Sequence, residues 1–509
     1  MKRSEKILLT AINLSYFLLF IILLPFYRHQ INPDSISLIN IANKYLSGEF
    51  MLAVNGYWPP LISWLLSFFM LVFKNPIIAF KALSFFVGLF ALFSFNRLLS
   101  ALKTSFTAKT LSLAASVAGV LYFSLTVASS DLLAASLMLY YLSLIIEENS
   151  FKNRFFFLKV GIVGVLLYFS KTYGFYFFIF HFLFAALMEA LSGKEKVRTV
   201  RVSVFALLVF SLLSAAWIAP ISIKYGVFTI GTTGKFNYAS FGPDAAAVRR
   251  PYIHAMAIPD SMSTSNWDDP SNVYEEAWSP FSSKENILHQ AKLLKKNIPW
   301  MIDLYNSFSY LSLLIIAASL LLLFMGRRRE QILILLSASL LSSAGYLMIA
   351  FEQRYLWVNF FILILLSVII LDELKMKERA KTVALALILL TFLIMPLRNL
   401  YSDLNVNKDI YDSYMSLDKK DVKGNTASDS NRAFMTILSF YLKNHYYGAF
   451  GKEIDQETFQ KELNDNKIEY YYLFDRKDTA LIDVLKENWE IHHESERFTV
   501  LKRTDAKKE

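Results

Sequence analysis

The sequence predicts an α-helical polytopic membrane protein with about eleven transmembrane helices plus interfacial helices, followed by a small C-terminal extracytoplasmic α/β domain. Three observations lead there. The 509 residues are 55% hydrophobic and 16% aromatic with only 18% charged, whereas soluble domains carry roughly one quarter charged residues. Apolar runs long enough for a hydrocarbon core about 30 Å thick recur from residue 7 to residue 397, parted by short polar turns. From residue 399 onward Asp, Lys and Asn are spread throughout, the composition of a segment that faces water.

A net charge of +10 would suggest a nucleic-acid partner in a soluble protein. Here the Lys and Arg stand in short clusters between apolar runs, so they read as topology signals, and membrane lipid rather than nucleic acid is the expected partner. The chain has 0 cysteines, which excludes a disulfide framework, a thiolate metal site and a Cys nucleophile.

Orienting the runs by the positive-inside rule gives a consistent order. Residues 7–26, after the basic Met1–Lys6, resemble a signal peptide, but no small-residue cleavage site follows, so an uncleaved first span leaving the cytoplasm is expected. Runs 77–97, 108–128 and 132–146 then alternate, and 155–169 with 174–190 form a hairpin with Ser170-Lys171-Thr172-Tyr173 at its outer tip. Run 203–222 exits, 301–325 returns to Arg327-Arg328-Arg329, 331–350 exits, 356–371 returns to the Lys375–Lys381 cluster, and 382–397 exits.

The expected organisation is a transmembrane domain over 1–398, with a first extracytoplasmic loop at 27–76 and a long one at 223–300, and a soluble extracytoplasmic domain over 399–509. Ser35–Leu46 is amphipathic and 61–73 is only about 13 residues, so both are expected as interfacial helices. In the tail, 430–443, 458–464 and 481–488 read as helices and 469–474 and 498–502 as strands. The localisation that follows is the cytoplasmic (inner) membrane, multi-pass, with the N-terminus cytoplasmic.

Ionisable groups inside spans are costly, by about 2.5–3.5 kcal/mol at a helix centre, so their position is informative. The centres of the runs are almost clean, and the charges collect at the outer ends: Asp34, Asp131, Lys171, Glu352 and Arg354. A transporter site at the midplane would instead interrupt paired segments half-way along. The pattern points to chemistry at the outer surface. The densest cluster is Arg28–Pro60, with Asp34 after Asn32-Pro33 and then Asn55, Tyr57, Trp58 and Pro59-Pro60.

Each candidate has a plainer role beside the functional one. Asp34 and Asp131 can be helix N-caps, Lys171 and Arg354 can be interfacial anchors, and Glu352 can be an ion-pair partner for a nearby cation. Trp58, Tyr173 and Tyr355 fit an aromatic belt, and Trp58 beside Pro59 also suits stacking on a sugar ring. In the long loop, Trp267-Asp268-Asp269 suits an acceptor contact, or a solvated acidic pair. His29 and His181 carry no signal.

An acidic residue shortly after the first span, Pro59-Pro60-Leu61, Ser130-Asp131, Lys171-Thr172-Tyr173-Gly174 and Gln353-Arg354-Tyr355-Leu356, in that order and on one side, resemble the GT-C membrane glycosyltransferases. The protein O-mannosyltransferases and lipid A aminoarabinose transferases are nearest in kind. The resemblance covers about residues 7–400. It implies a hexosyl- or pentosyltransferase that uses a polyprenyl-phosphate-sugar donor and an extracytoplasmic acceptor glycan, lipid or protein.

It further implies Asp34 as catalytic base with Asp131 in the catalytic set. Lys171 and Arg354 then bind phosphate, with Tyr173, Glu352 and Trp58 lining the substrate. Where the family commonly has Asp-Glu in the first loop, this chain has Asp34-Ser35, one carboxylate, so a divalent metal is possible but unsupported, since hard cations prefer several oxygen ligands. The alternatives are a polymerase or ligase of lipid-linked glycans, and a lipid-linked sugar flippase or transporter.

Overall fold

The computed structural model describes residues 3–192, 195–243, 256–273, 278–450, 455–476, 481–482, 485 and 488–504. They fall into two compact units. One comprises residues 1–28, 59–234 and 279–404 and is helical; the other gathers residues 29–58, 235–278 and 405–509 and carries the sheet.

In the helical unit, eight helices among the described residues are long and apolar enough to cross a membrane, nine if one bent pair counts as a span. They make the chain a multi-pass membrane protein. Arg3–Tyr27, only 17% buried along its apolar window, turns Leu14, Phe17, Leu18, Ile21 and Ile22 outward, as a lipid-facing helix does. Gln353–Glu373 is the opposite case, 83% buried, because it is apolar on every side. Small residues let helices approach closely. A Cβ on Gly119 would stand 2.7 Å from the Phe360 ring, and one on Gly161 2.8 Å from the Ala206 carbonyl oxygen.

Two features depart from the expected spans. The run expected as one helix over 301–325 is two helices, Lys284–Phe308 and Ser312–Phe324, bent by 97°. Ser309 between them is extended. Its Oγ accepts from the Leu311 amide at 3.1 Å and meets Thr391 Oγ1 at 2.6 Å, so a serine side chain replaces the helical ladder where hydropathy shows no break. The runs at 132–146 and 155–169 form helices Asp131–Ile146 and Phe156–Ser170, of 16 and 15 residues, or about 24 and 22 Å. These fall short of a core about 30 Å thick.

In the other unit, five strands take the order β2-β1-β3-β5-β4, with β1 Asn425–Ser428, β2 His445–Ala449, β3 Tyr470–Leu473, β4 Trp489–Glu494 and β5 Thr499–Arg503. β1 pairs in parallel with β2 and β3, whereas β5 runs antiparallel to β3 and β4. The parallel β1 and β2 are joined through the helix Arg432–Leu442. That helix starts after Asn431 and stops at Lys443, both in the left-handed region, at φ 59 and 58°, which narrows the expected 430–443. The helix Gln456–Asp465 precedes β3. Ala427, Phe450, Phe459, Leu463, Ile468, Tyr471 and Leu501 form the core.

Strands β1, β2 and β4 went unpredicted; β1 reads Asn-Thr-Ala-Ser and lacks an apolar alternation. The helix expected at 481–488 lies partly outside the described residues.

The helix Pro33–Leu46 also belongs to this unit, and Ser37, Asn40 and Lys44 on one face of it, with Ser35 on the other, are buried. Partners explain the burial of Lys44. Lys44, 1% exposed, pairs with Asp260 at 2.6 Å and Asp268 at 3.5 Å, and its Nζ donates to Ser263 Oγ at 2.9 Å.

Candidate active site

Asp131 opens the helix Asp131–Ile146 and is buried. Ser129 Oγ donates to its Oδ2 at 2.8 Å, Lys171 forms an ion pair with Oδ1, and Arg354 Nε stands 3.7 Å from Oδ2. Ser130, not Asp131, occupies the N-cap position.

Lys171 sits in the extended turn between Phe156–Ser170 and Tyr173–Ser192. Its ammonium lies 4.0 Å from the centre of the Tyr355 ring and 5.3 Å from that of Tyr346, a cation held over aromatic faces. Arg354 comes from the turn Gln353–Leu356, which Gln353 pins by donating to Ser307 Oγ at 2.8 Å. Glu352 Oε2 is 2.6 Å from Arg354 Nε, and Glu352 Oε1 accepts from the Tyr355 hydroxyl at 3.2 Å.

Tyr173 is the strut of this cluster. Its hydroxyl donates to Leu341 O at 2.6 Å and accepts from the Gly345 amide at 3.0 Å, and its ring presses on Gly345, where a Cβ would collide with it. The helix that follows Lys171 is thereby fixed to Arg329–Leu347. Asp131, Lys171, Tyr173, Tyr346, Arg354 and Tyr355 line one small cleft of about 20 Å³, room for roughly one water. The sequence therefore brings five candidates together here: Asp131, Lys171, Tyr173, Glu352 and Arg354. Tyr346 was missed, since an aromatic at the end of an apolar run carries no signal of its own.

Lys81 was missed too. It is 1% exposed and donates through Nζ to Leu125 O at 2.5 Å, where the carbonyls ending the helix Phe106–Thr126 attract a cation. His181 is a satisfied core residue, bonded to the Tyr141 hydroxyl at 2.9 Å and Ile334 O at 3.0 Å.

Asp34 and Trp58 lie in the sheet-bearing unit. Asn32 caps the helix Pro33–Leu46: its Oδ1 accepts from the Ser35 amide at 2.8 Å, and Ser35 Oγ accepts from the Asn32 amide at 3.4 Å. The capping role open to Asp34 is therefore taken by Asn32. Asp34 stands in the first turn, where a helix favours negative charge, and its Oδ1 accepts from the Trp267 indole N–H at 2.9 Å. Tyr57, Trp58, Phe236 and Trp267 pack as one aromatic cluster. A single carboxylate whose oxygen takes an indole N–H does not fit a divalent cation, which needs several oxygen ligands.

Asp268 corrects the reading of a solvated acidic pair, for it is 1% exposed. Asn40 Nδ2 donates to its Oδ1 at 3.3 Å. Burial outweighs Lys44, which is closer to Asp260, and pushes the Asp268 carboxyl up to about 6.

The folded state holds this proton more tightly than the unfolded state, so the group's contribution to stability falls as pH rises from about 4 to about 6, by on the order of 3 kcal/mol. Asp268→Asn removes that dependence. In detergent, the melting temperature of the variant relative to the parent is expected to climb from pH 4 to pH 6 and then level; a pH-independent difference overturns the assignment.

No family model matches the sequence, and no curated protein does. Solved structures do. ArnT from Cupriavidus metallidurans bound to undecaprenyl phosphate is 11% identical with a TM-score of 0.56, covering 98% of this chain and 98% of that one. The same protein in the apo state is 12% identical with a TM-score of 0.62, covering 98% and 97%. The archaeal oligosaccharyltransferase AglB from Archaeoglobus fulgidus, in complex with an inhibitory peptide and a dolichol-phosphate, is 10% identical with a TM-score of 0.54, covering 93% of this chain and 70% of that one. At these identities the likeness is one of fold: this chain has the fold of ArnT along nearly its whole length and shares the fold of AglB over 70% of that protein.

Proposed function

We propose that this chain is a membrane glycosyltransferase that moves a sugar from a polyprenyl-phosphate-linked donor to an acceptor on the extracytoplasmic face. The observation that carries the reading is the convergence of Lys171 and Arg354 on the buried Asp131, in a cleft walled by Tyr173, Tyr346 and Tyr355. Two fixed cations at helix ends suit a phosphate. The fold shared with ArnT bound to undecaprenyl phosphate, and with AglB bound to a dolichol-phosphate, supports a polyprenyl carrier as its source. The basic clusters between spans favour an extracytoplasmic C-terminal domain and a cytoplasmic N-terminus.

The reaction is a single displacement. An acceptor oxygen bonds to the anomeric carbon as the bond from that carbon to the phosphate oxygen breaks, with inversion. The acceptor proton goes to Asp34, the proposed general base. The departing group changes from a phosphodiester to a phosphomonoester and gains negative charge, and Lys171 and Arg354 are the cations assigned to it. Asp131 holds the two cations at a fixed spacing.

The test is mass spectrometry of lipid extracts from a strain lacking the chain. One polyprenyl-phosphate-sugar is expected to accumulate while one glycan or lipid A-type product loses a single sugar. A strain with neither change, or one whose donor sits on the wrong membrane face with transfer intact in broken membranes, sinks the transferase reading.

A further inference from the structure

We propose that Trp267 is the positioning residue of Asp34, and that Arg432, from the β1-to-helix junction of the C-terminal sheet, clamps Trp267 in place. The inference rests on the reading of Asp34 as general base. A carboxylate turns freely about its last side-chain bond, whereas a base must present one oxygen to one proton within hydrogen-bond reach. The indole N–H at 2.9 Å from Asp34 Oδ1 fixes that rotation.

A positioning group must itself be held, and Trp267 is held on three sides. Its carbonyl accepts from the Trp58 indole N–H at 3.1 Å. The next carbonyl, that of Asp268, accepts from Asn55 Nδ2 at 2.5 Å, while Asn55 Oδ1 accepts from the Tyr57 and Trp58 amides at 2.9 Å each. Beneath the turn, the Asp268 side chain is tied to Asn40 and Lys44, which lie on the same helix as Asp34. The third side is Arg432. Its guanidinium lies 5.6 Å from the centre of the Trp267 ring, and its Nη2 donates to Asn266 Oδ1 at 2.9 Å.

Arg432 is in turn anchored by the sheet. It opens the helix Arg432–Leu442 directly after β1, and there Asp429 accepts from the Phe474 amide at 3.1 Å and the Asp475 amide at 2.7 Å, joining the ends of β1 and β3. Through Arg432 the C-terminal segment thus orients the base.

The experiment uses the full-length protein with donor lipid and acceptor membranes extracted from a strain lacking it. Trp267→Phe keeps the ring and loses the N–H; kcat is expected to fall about tenfold, as for loss of a hydrogen bond to a charged group, with KM for donor unchanged. Arg432→Met is expected to lower kcat about threefold, the size of a cation–π contact. In an Asp34→Asn background, Trp267→Phe is expected to add no further loss.

Normal kcat in Trp267→Phe, or an equal loss in both backgrounds, overturns the proposal. Normal kcat in Asp34→Asn instead overturns the base assignment itself, so the two failures are distinguishable. Should Trp267→Phe not fold, the 8 tryptophans can be labelled with 15N. Asp34→Asn is then expected to shift an indole N–H resonance, and an unmoved set overturns the contact.

Discussion

Asp34→Asn is expected to lower turnover about 10²-fold or more while the protein still reaches the membrane and binds donor, because general-base catalysis contributes about 10²–10⁴. The substitution is unusually clean. Asn32 and Ser35 form the capping box of the helix Pro33–Leu46, so Asp34→Asn leaves the cap intact. The amide oxygen of Asn can still accept the Trp267 indole N–H that Asp34 Oδ1 accepts at 2.9 Å. What is lost is a negative charge in the first turn, worth about 0.3–1 kcal/mol to the helix, and the ability to take a proton.

Initial rates and the melting temperature of the purified variant separate the two losses. Turnover close to that of the parent would return Asp34 to a purely local role. The companion Asp131→Asn, if it costs more than Asp34→Asn, moves the base to Asp131.

Hydropathy and charge made the helical unit legible because in a bilayer each is a direct energetic constraint. A run such as 7–26 has no water to satisfy its backbone and must be helical, and Arg327-Arg328-Arg329 orients its neighbours. The same logic drew attention to Lys171 and Arg354, cations in short turns at the ends of apolar runs. It failed where one side chain decides. Ser309 bends its helix pair by 97° through hydrogen bonds that leave mean hydropathy untouched.

The sheet-bearing unit was harder to read, since its pairings join distant parts of the chain. Asp34 and Trp267 are 233 positions apart, and Lys44 and Asp260 216 apart. Asp268 looked like solvent-facing charge, and nothing local distinguishes charges that will be buried, as it and Lys44 are, from ones that will not. β1, with Thr426 and Ser428 buried, is held by its neighbours on both edges and by the hydroxyl pair Ser428 Oγ with Tyr446 OH at 2.8 Å. Its own residues carry little strand preference.

Lys171→Ala is expected to reduce turnover about 10²- to 10³-fold, the usual cost of removing one group aimed at charge that develops in the transition state. KM for donor should rise less, since phosphate charge is greater at the transition state than in the donor. Arg354→Ala is expected to act in the same direction. Asp131 is 6% exposed, and without Lys171 its remaining cation among the described residues is Arg354, at 3.7 Å, beside the Ser129 hydroxyl at 2.8 Å. A buried charge that loses its partner destabilises by about 3–5 kcal/mol, so Lys171→Ala can lose activity simply by unfolding.

Pairing it with Asp131→Asn decides the matter. With the carboxylate neutral, the melting temperature of the double variant is expected to recover most of the loss seen in Lys171→Ala. If Lys171 serves only as the counter-ion of Asp131, turnover recovers to that of Asp131→Asn alone. If Lys171 is the phosphate cation, stability returns and turnover does not, and binding of added undecaprenyl phosphate stays weak in both variants. Recovery of turnover in the double variant removes Lys171 from the mechanism and leaves Arg354 as the cation to be tested against phosphate.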